Sequence, residues 1–241
     1  MNKSQQKFLW QYGPIPKDFD IRKPGHANYI SNVTLKPEHV EHIIQHGDEY
    51  QLGDLIQNTG AKIEPHHIDA MLAKEDSPSL HDMISHTSRK LEPRHIEHFL
   101  NTNDEYHAKG VIRNQEIPHH LLDKALFKVR YTPENSSATK ESHVVQMIKK
   151  NKNLPSEFID KLIPYAKHSG WITQHLTGQP NLTSHHIDEL LKHPELHQYF
   201  TDREDLKKHH LETMANTEHL HDYYFTKPIA RDRLAKKEYK E

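Results

Sequence analysis

Three times in succession, at intervals of 28 residues, the chain spells the same phrase: a hydrophobic residue, a polar one, a proline, two polar positions ending in histidine, and an aliphatic residue. The copies are Leu35-Lys36-Pro37-Glu38-His39-Val40, Ile63-Glu64-Pro65-His66-His67-Ile68 and Leu91-Glu92-Pro93-Arg94-His95-Ile96. Looser copies follow: Pro118-His119-His120-Leu121 after 25 residues, Pro155-Ser156-Glu157-Phe158 after 37, Ser184-His185-His186-Ile187 after 29 and Lys208-His209-His210-Leu211 after 24. A period in this range belongs to stacked supersecondary units, each too short to bury its apolar side alone.

The physics inside one unit is that of a helix pair. Proline has a φ already suited to the first helical turn, where its missing N–H had no partner to lose, so it is expected to open the helix. Apolar residues then recur at helical spacing, as in Val40, Ile43, Ile44 or Ile96, Phe99, Leu100. A polar break such as Gly47-Asp48 precedes a second, weaker helix, carried by Leu52, Leu55 and Ile56 in the first unit. The hydrophobic residue before each entry (Leu35, Ile63, Leu91, Ile117, Leu154, Leu182) is placed to pack back as a staple. The expected fold is therefore all-α: an α-solenoid of about seven short helix-pair repeats over 35–225, with an insertion near 130–140. Residues 1–34, rich in aromatics and proline (Phe8, Trp10, Tyr12, Pro14, Pro16, Phe19), form an N-terminal cap, and 226–241 a charged C-terminal tail with Ile229 and Leu234 as its apolar residues.

Composition agrees. Hydrophobic residues make up 34% of the 241, lean for one central core but sufficient for narrow stripes between repeats. The absence of cysteine excludes disulfides, thiolate nucleophiles and cysteine-ligated zinc or iron–sulfur centres. No apolar run has the length of a signal sequence or a membrane span, which points to a soluble, cytoplasmic protein with no membrane partner.

The entry phrase resembles the leucine-rich-repeat variant and HEAT-like helical repeats, of a kind found in uncharacterised bacterial and phage proteins. Pro37-Glu38-His39-Val40-Glu41, Pro65-His66-His67-Ile68-Asp69 and Pro180-Asn181-Leu182-Thr183-Ser184-His185-His186-Ile187-Asp188 carry the likeness, which covers roughly 35–220. The resemblance implies a stacked-helix scaffold and would fit a regulatory factor that binds and blocks another protein. It brings no catalytic residue, and the iron–sulfur cluster associated with some variant repeats has no cysteines here to hold it.

Twenty-four histidines invite a metal reading, and His42/His46 and His193/His197 have the i, i+4 spacing of ligands on one helix face. The bland reading is preferred: His39, His67, His95 and His120 read as one position copied by duplication, and copies about 8–10 Å apart cannot share an ion whose ligands sit at about 2 Å. No metal and no cofactor is assigned. At this density, histidine should nevertheless make net charge sensitive to mild acid.

Charge is distributed in blocks. Residues 36–106 carry 14 acids against 6 bases, whereas 107–181 carry 11 bases against 6 acids. The basic block holds Lys124, Lys128, Arg130, Lys149, Lys150 and Lys152, with Trp171 nearby, the pairing of cations and aromatics that phosphate contact and base stacking need. Against it, the whole-chain pI near 6.9 lacks the bias of nucleic-acid binders, and a solvated face would look the same.

No phosphate-cradling glycine loop, Gly-x-Ser-x-Gly or His-Glu-x-x-His occurs. The leading expectation is a non-enzymatic scaffold that binds another protein. The second is a nucleic-acid-binding solenoid using 107–181, and the third a HEAT-like DNA-processing enzyme for which Asp160 and Trp171 would be nominated. The oligomeric state is left open.

Overall fold

The computed structural model describes residues 3–74, 78–129, 138–217 and 226–240, the side chains of 3–5, 8 and 138–140 excepted. Among these the protein is all-helical, its one β-type pairing being an isolated bridge between Lys207 and Lys240. The chain divides into two compact units, residues 1–115 and 116–241.

In the first unit, α1 (Lys3–Tyr12) and a 3-10 turn (His26–Asn32) precede three helix pairs: α2 (Pro37–His46) with α3 (Glu49–Gln57), α4 (Pro65–Leu72) with α5 (Pro78–Ser85), and α6 (Pro93–Asn101) with α7 (Glu105–Asn114). Second helices pack on second helices: the 3-10 turn on α3, α3 on α5, α5 on α7, while α2 packs on α4. The stripes between them hold the core, with Val40, Ile43, Leu52, Leu55, Met71, Leu80, Ile84, Ile96, Phe99, Leu100 and Ile112 all removed from solvent. Removing each such side chain from water contributes about 1.5–3 kcal/mol, which is what holds units this short together.

Part of the N-terminal segment packs on the first helix pair, through the 3-10 turn against α3. Gly25 takes the left-handed conformation that starts the 3-10 turn, and Ile30 and Tyr29 are buried behind it. Tyr29 donates its hydroxyl to the Tyr12 carbonyl at 2.7 Å, and Phe19 stacks on His26 and meets His39 edge-on. Trp10 stays outside, 91% exposed.

The second unit repeats the scheme. The 3-10 turn His119–Leu121 leads into α8 (Leu122–Val129), which packs on α9 (Ala138–Lys150). Then come α10 (Ser156–Ala166) with α11 (Gly170–Leu176), α12 (Ser184–Leu191) with a 3-10 turn (Pro194–Phe200) in place of its second helix, and α13 (Lys208–Asn216) with α14 (Thr226–Lys236). Contacts run α10 to α12 to α13 among first helices, and α9 to α11 to the 3-10 turn among second elements.

Two details depart from the expected register. Pro118 and Pro155 stand at the N-cap, not inside the first turn, so the N-caps fall at Lys36, Glu64, Glu92, Pro118, Pro155, Thr183 and Lys207. His120 is consequently not a copy of His39, His67 and His95: it is exposed, and Leu121 takes the buried place. The C-terminal tail is a helix seated on α13, with Thr226 and Ala230 buried and Ile229 turned out. The sequence-predicted insertion at 130–140 lies almost wholly outside the described residues.

Polar side chains close the C-terminal end of several of these pairs. Asn58 donates to the Ile30 and Val33 carbonyls, Arg89 to those of Ile56, Asn58 and Ala61, and Gln115 to those of Thr87 and Arg89 while accepting the Leu91 N–H. In the second unit Gln179 donates to the Ile148 and Asn151 carbonyls and accepts the Leu154 N–H, and Arg203 reaches the Thr177 carbonyl. Carbonyls and N–H groups left over where a helix ends thus find partners one repeat away.

Candidate interaction surface

The repeated histidine has a structural occupation that uses both ring nitrogens. At the third helical position it reaches back to the N-cap: the N–H groups of Lys36, Glu64, Glu92, Thr183 and Lys207 donate to Nδ1 of His39, His67, His95, His186 and His210 at 2.9–3.4 Å. This is the backward half of a capping box, performed by an imidazole where Glu or Gln is usual. An Nδ1 that accepts carries no proton, so the proton sits on Nε2. Nε2 then donates to a carboxylate of the preceding repeat in three of them, His67 to Glu41 at 2.9 Å, His95 to Asp69 at 2.8 Å and His186 to Asp160 at 2.8 Å, whereas His210 Nε2 bonds Ser184 Oγ at 3.1 Å with Asp188 Oδ1 beside it. The acid stands two residues beyond the histidine position of its own repeat, a recurrence visible in the sequence as Glu41, Asp69, Asp160 and Asp188.

The same geometry bears on the two places, among the described residues, where ligand-type atoms converge. Glu41, His66 and His67 form one cluster and Asp188, His209 and His210 another, with the ligand atoms of each within 4.8 Å of one another. In both, the second histidine is the capping one. Coordination through its Nε2 while Nδ1 accepts a backbone N–H would require an imidazolate, so each cluster offers a cation one imidazole and one carboxylate. Of the pairs nominated from spacing, His42 and His46 lie side by side on α2 with centroids 4.8 Å apart, whereas His193 stands at the N-cap position of a 3-10 turn and His197, inside that turn, donates Nε2 to the Leu191 carbonyl.

The surface of the second helices is different. Asp48 caps α3 and Asp104 caps α7, each followed by glutamate and then tyrosine, so the tripeptide Asp-Glu-Tyr occurs twice, 56 residues or two repeats apart. The acids favour a helix N-terminus. The tyrosines at the second helical position have no such duty, and Tyr50 is 80% and Tyr106 57% exposed. In the second unit Ser169 caps α11 and Trp171 takes the same position, 59% exposed. Between α3, α5 and α7 runs an open groove of about 660 Å³, lined by Ile56, Met83, His86, Arg89 and Tyr106 among others. Tyr106 lies against the His86 ring, centroids 4.6 Å apart. Gly53 and Gly110 let α5 approach α3 and α7: a Cβ on Gly110 would stand 2.8 Å from both His86 Cε1 and Ser85 Oγ.

Negative charge crowds this face. Burial and the neighbouring Asp48 hold the Asp54 carboxyl above the usual carboxylate range. Asp82 is paired with His107 at 2.7 Å, and Glu105 with Lys109. The cation lining the groove, Arg89, has its N–H groups turned onto three backbone carbonyls.

The basic residues nominated from the sequence all fall in the second unit, spread along two helices. Lys124 and Lys128 are one turn apart on α8 and half-exposed; Arg130 lies outside the described residues. Lys149 and Lys150 end α9 and Lys152 follows it, all exposed at a helix C-terminus, where cations are favoured. Lys149 is near His175, whose imidazole is held below its ordinary value chiefly by burial and then by that lysine. Trp171 belongs to the opposite end of this packing, where Ser169 bonds Glu141. Glu141 and Lys149 are eight residues apart on α9, roughly 12 Å along the axis. The lysine run and the tryptophan are therefore not brought together at one point. Asp160, nominated for an enzyme reading, is the ladder partner of His186.

No helix among the described residues is long and apolar enough to cross a membrane. The chain matches no protein-family model, no curated protein and no solved structure.

Proposed function

We propose that the chain is an α-solenoid of helix-pair repeats, of the kind it resembles among the leucine-rich-repeat variant and HEAT-like proteins, acting as a non-enzymatic scaffold that binds another protein. The solenoid reading is supported by the contacts of first helix with first helix and second with second inside each unit. The observation that carries the binding reading is the placing of large aromatics in water at one repeat position. Tyr50, Tyr106 and Trp171 each follow a capped helix start and stand more than half exposed. Tyrosine and tryptophan supply the anchors of protein interfaces because they offer a large, rigid, amphipathic area. A regulatory or inhibitory factor is a natural use of such a surface.

The second reading, nucleic-acid binding by the second unit, is favoured by the exposed run Lys149, Lys150 and Lys152. Selection of random dodecapeptides on the immobilised full chain, run beside titration of fluorescent DNA and RNA across a salt series, separates the two. Convergent peptide sequences with weak oligonucleotide binding support the protein scaffold. Oligonucleotide binding that falls steeply with salt and with Lys149, Lys150 and Lys152 changed to Glu, with no convergent peptide, moves the assignment to the second reading.

A further inference from the structure

We infer that His107 is a proton-operated latch between α5 and α7: a proton taken up at Nδ1 ties the imidazole to Asp104, the cap of α7, while Nε2 keeps its hold on Asp82 of α5. The ring is 8% exposed and packed against Phe99 of α6, centroids 5.8 Å apart. Its Nε2 lies 2.7 Å from Asp82 Oδ1. Its Nδ1 is buried and has no hydrogen-bond partner among the described residues, yet Asp104 Oδ2 stands 3.8 Å away. That carboxylate uses Oδ1 to accept the Tyr106 N–H, which holds it at the start of α7 and leaves Oδ2 for the ring. A neutral imidazole whose Nε2 donates to Asp82 can present only a lone pair to Asp104, acceptor against acceptor. A second proton turns the lone pair into a donor and sets an imidazolium between two carboxylates.

Two effects oppose the charge. Burial disfavours it, and His81 of α5 lies 6.1 Å away by ring centroids, its own Nε2 also buried without a partner. His98 of α6 stands beyond His81, centroids 5.9 Å apart; partial burial first, then His81, His107 and His95, hold its imidazole below the ordinary value, so it adds little charge in mild acid. α7 packs on α5 and α6, and these bring Asp82, His81 and His98 to the neighbourhood of the ring, with Asp104 from α7 itself. Carboxylates at 2.7 and 3.8 Å act on the ring more strongly than an imidazole at 6.1 Å. The capping histidines respond the other way. Nδ1 of His39, His67, His95, His186 and His210 accepts a backbone N–H, so a proton there breaks a bond, whereas at His107 it makes one. Asp82 and Met83 of α5 and Tyr106 of α7 line the open groove, so the latch sets how firmly those walls are joined, whatever the groove receives.

Proton–nitrogen correlation spectra of the imidazoles, taken on the full chain from about pH 8 to about pH 5.5, read which ring nitrogen carries a proton. His107, assigned by the signals lost in His107→Gln, should carry one on Nε2 alone in alkali and on both nitrogens in mild acid. Asp104→Asn keeps the helix cap, because asparagine caps equally well, and should make the ring take its second proton at lower pH. Glu105→Gln, one residue on and paired with Lys109, should leave that uptake where it is. Hydrogen exchange gives the mechanical readout: at about pH 6, protection of α5 and α7 amides should be roughly threefold or more higher in the parent than in Asp104→Asn, and at about pH 8 no higher. An unprotonated Nδ1 throughout the range overturns the latch. So does uptake of the second proton at the same pH in Asp104→Asn as in the parent, or an equal shift in Glu105→Gln, which would assign the effect to the general field of the acids.

Discussion

His95 joins two successive repeats through both ring nitrogens: Nδ1 accepts the Glu92 N–H at 3.4 Å and Nε2 donates to Asp69 Oδ1 at 2.8 Å. The ring itself is buried, while the Asp69 carboxylate stays half-exposed. A single side chain thus caps its own helix and fastens it to the one before. Asp69 answers with a second partner, taking Arg94 in a two-bonded contact, and the Arg94 guanidinium followed by His95 holds its carboxyl below the ordinary value.

Replacing His95 separates these two duties. His95→Ala should lower unfolding free energy by about 3 kcal/mol, combining a lost cap, a lost bond to a charged group and the space left behind. His95→Gln should cost less, about 1–2 kcal/mol, because glutamine at the third position keeps the backward cap bond and gives up only the link to Asp69. Chemical denaturation read with a common m-value measures both. Equal losses for the two variants would show that the cap contributes nothing.

Acid should loosen the second unit before it titrates the carboxylates. His210 is buried against the His209 ring, and burial first, then His209, hold its imidazole below the ordinary value; Asp188 and the contact with Ser184 pull the other way, and Lys207 adds to the depression. The unfolded imidazole takes its proton near pH 6.5. A lowered folded value means the stabilisation is complete above that pH and is lost as pH falls through the folded value. Protonation at Nδ1 also removes the acceptor for the Lys207 N–H. Thermal midpoints should drop between about pH 7 and pH 5, and His210→Gln should flatten part of the drop. A midpoint independent of pH over that range, or a slope untouched in H210Q, would contradict this account.

The two glycines inside second helices should respond oppositely to alanine. At Gly53 the added Cβ meets the thioether of Met83, the far end of a flexible side chain that can swing toward the open groove. Helix propensity then dominates, and Gly53→Ala should be neutral or stabilising by up to about 1 kcal/mol. At Gly110 the Cβ meets Ser85 Oγ and the His86 ring at once, and that ring is already backed by Tyr106. Gly110→Ala should destabilise by about 1–3 kcal/mol despite the same propensity gain. Differential scanning calorimetry on the pair decides it, and midpoints that move together would refute the distinction.

How much of this could be read from residues alone follows from where each partner lies in the chain. The all-helical fold and the paired helices were legible because proline, the hydrophobic staple and the i, i+3, i+4 stripe act within one turn or two. Of the six staple residues, Leu35, Leu91, Ile117, Leu154 and Leu182 are buried and Ile63 is half-buried. The role of the histidine was not legible, because one of its partners is a backbone N–H and the other a carboxylate 26 residues earlier in His67, His95 and His186. The recurring acid two places after the histidine was the available signal. The clasps at the far ends are harder still: Asn58, Arg89, Gln115, Gln179 and Arg203 do one job with three residue types, so no motif marks them. Exposure of Tyr50 and Tyr106 required knowing that a capped start turns the second helical position outward.

Arg89 should prove the least replaceable of these clasps. Its guanidinium reaches the carbonyls of Ile56 at 2.8 Å, in the last turn of α3, and Ala61 at 3.1 Å, in the loop beyond it, and also that of the C-cap Asn58. Three acceptors arranged in an arc match the fixed fork of arginine, whereas an ammonium is a compact point charge that cannot follow it. Arg89→Lys should therefore recover little of what Arg89→Ala loses, and each should cost about 2–4 kcal/mol. Hydrogen exchange gives the sharper reading: amides of residues 58–61 should exchange faster in both variants, while those of α10 in the other unit keep their rates. If lysine restored protection at 58–61, the charge and not the fork would be what closes this end of the repeat.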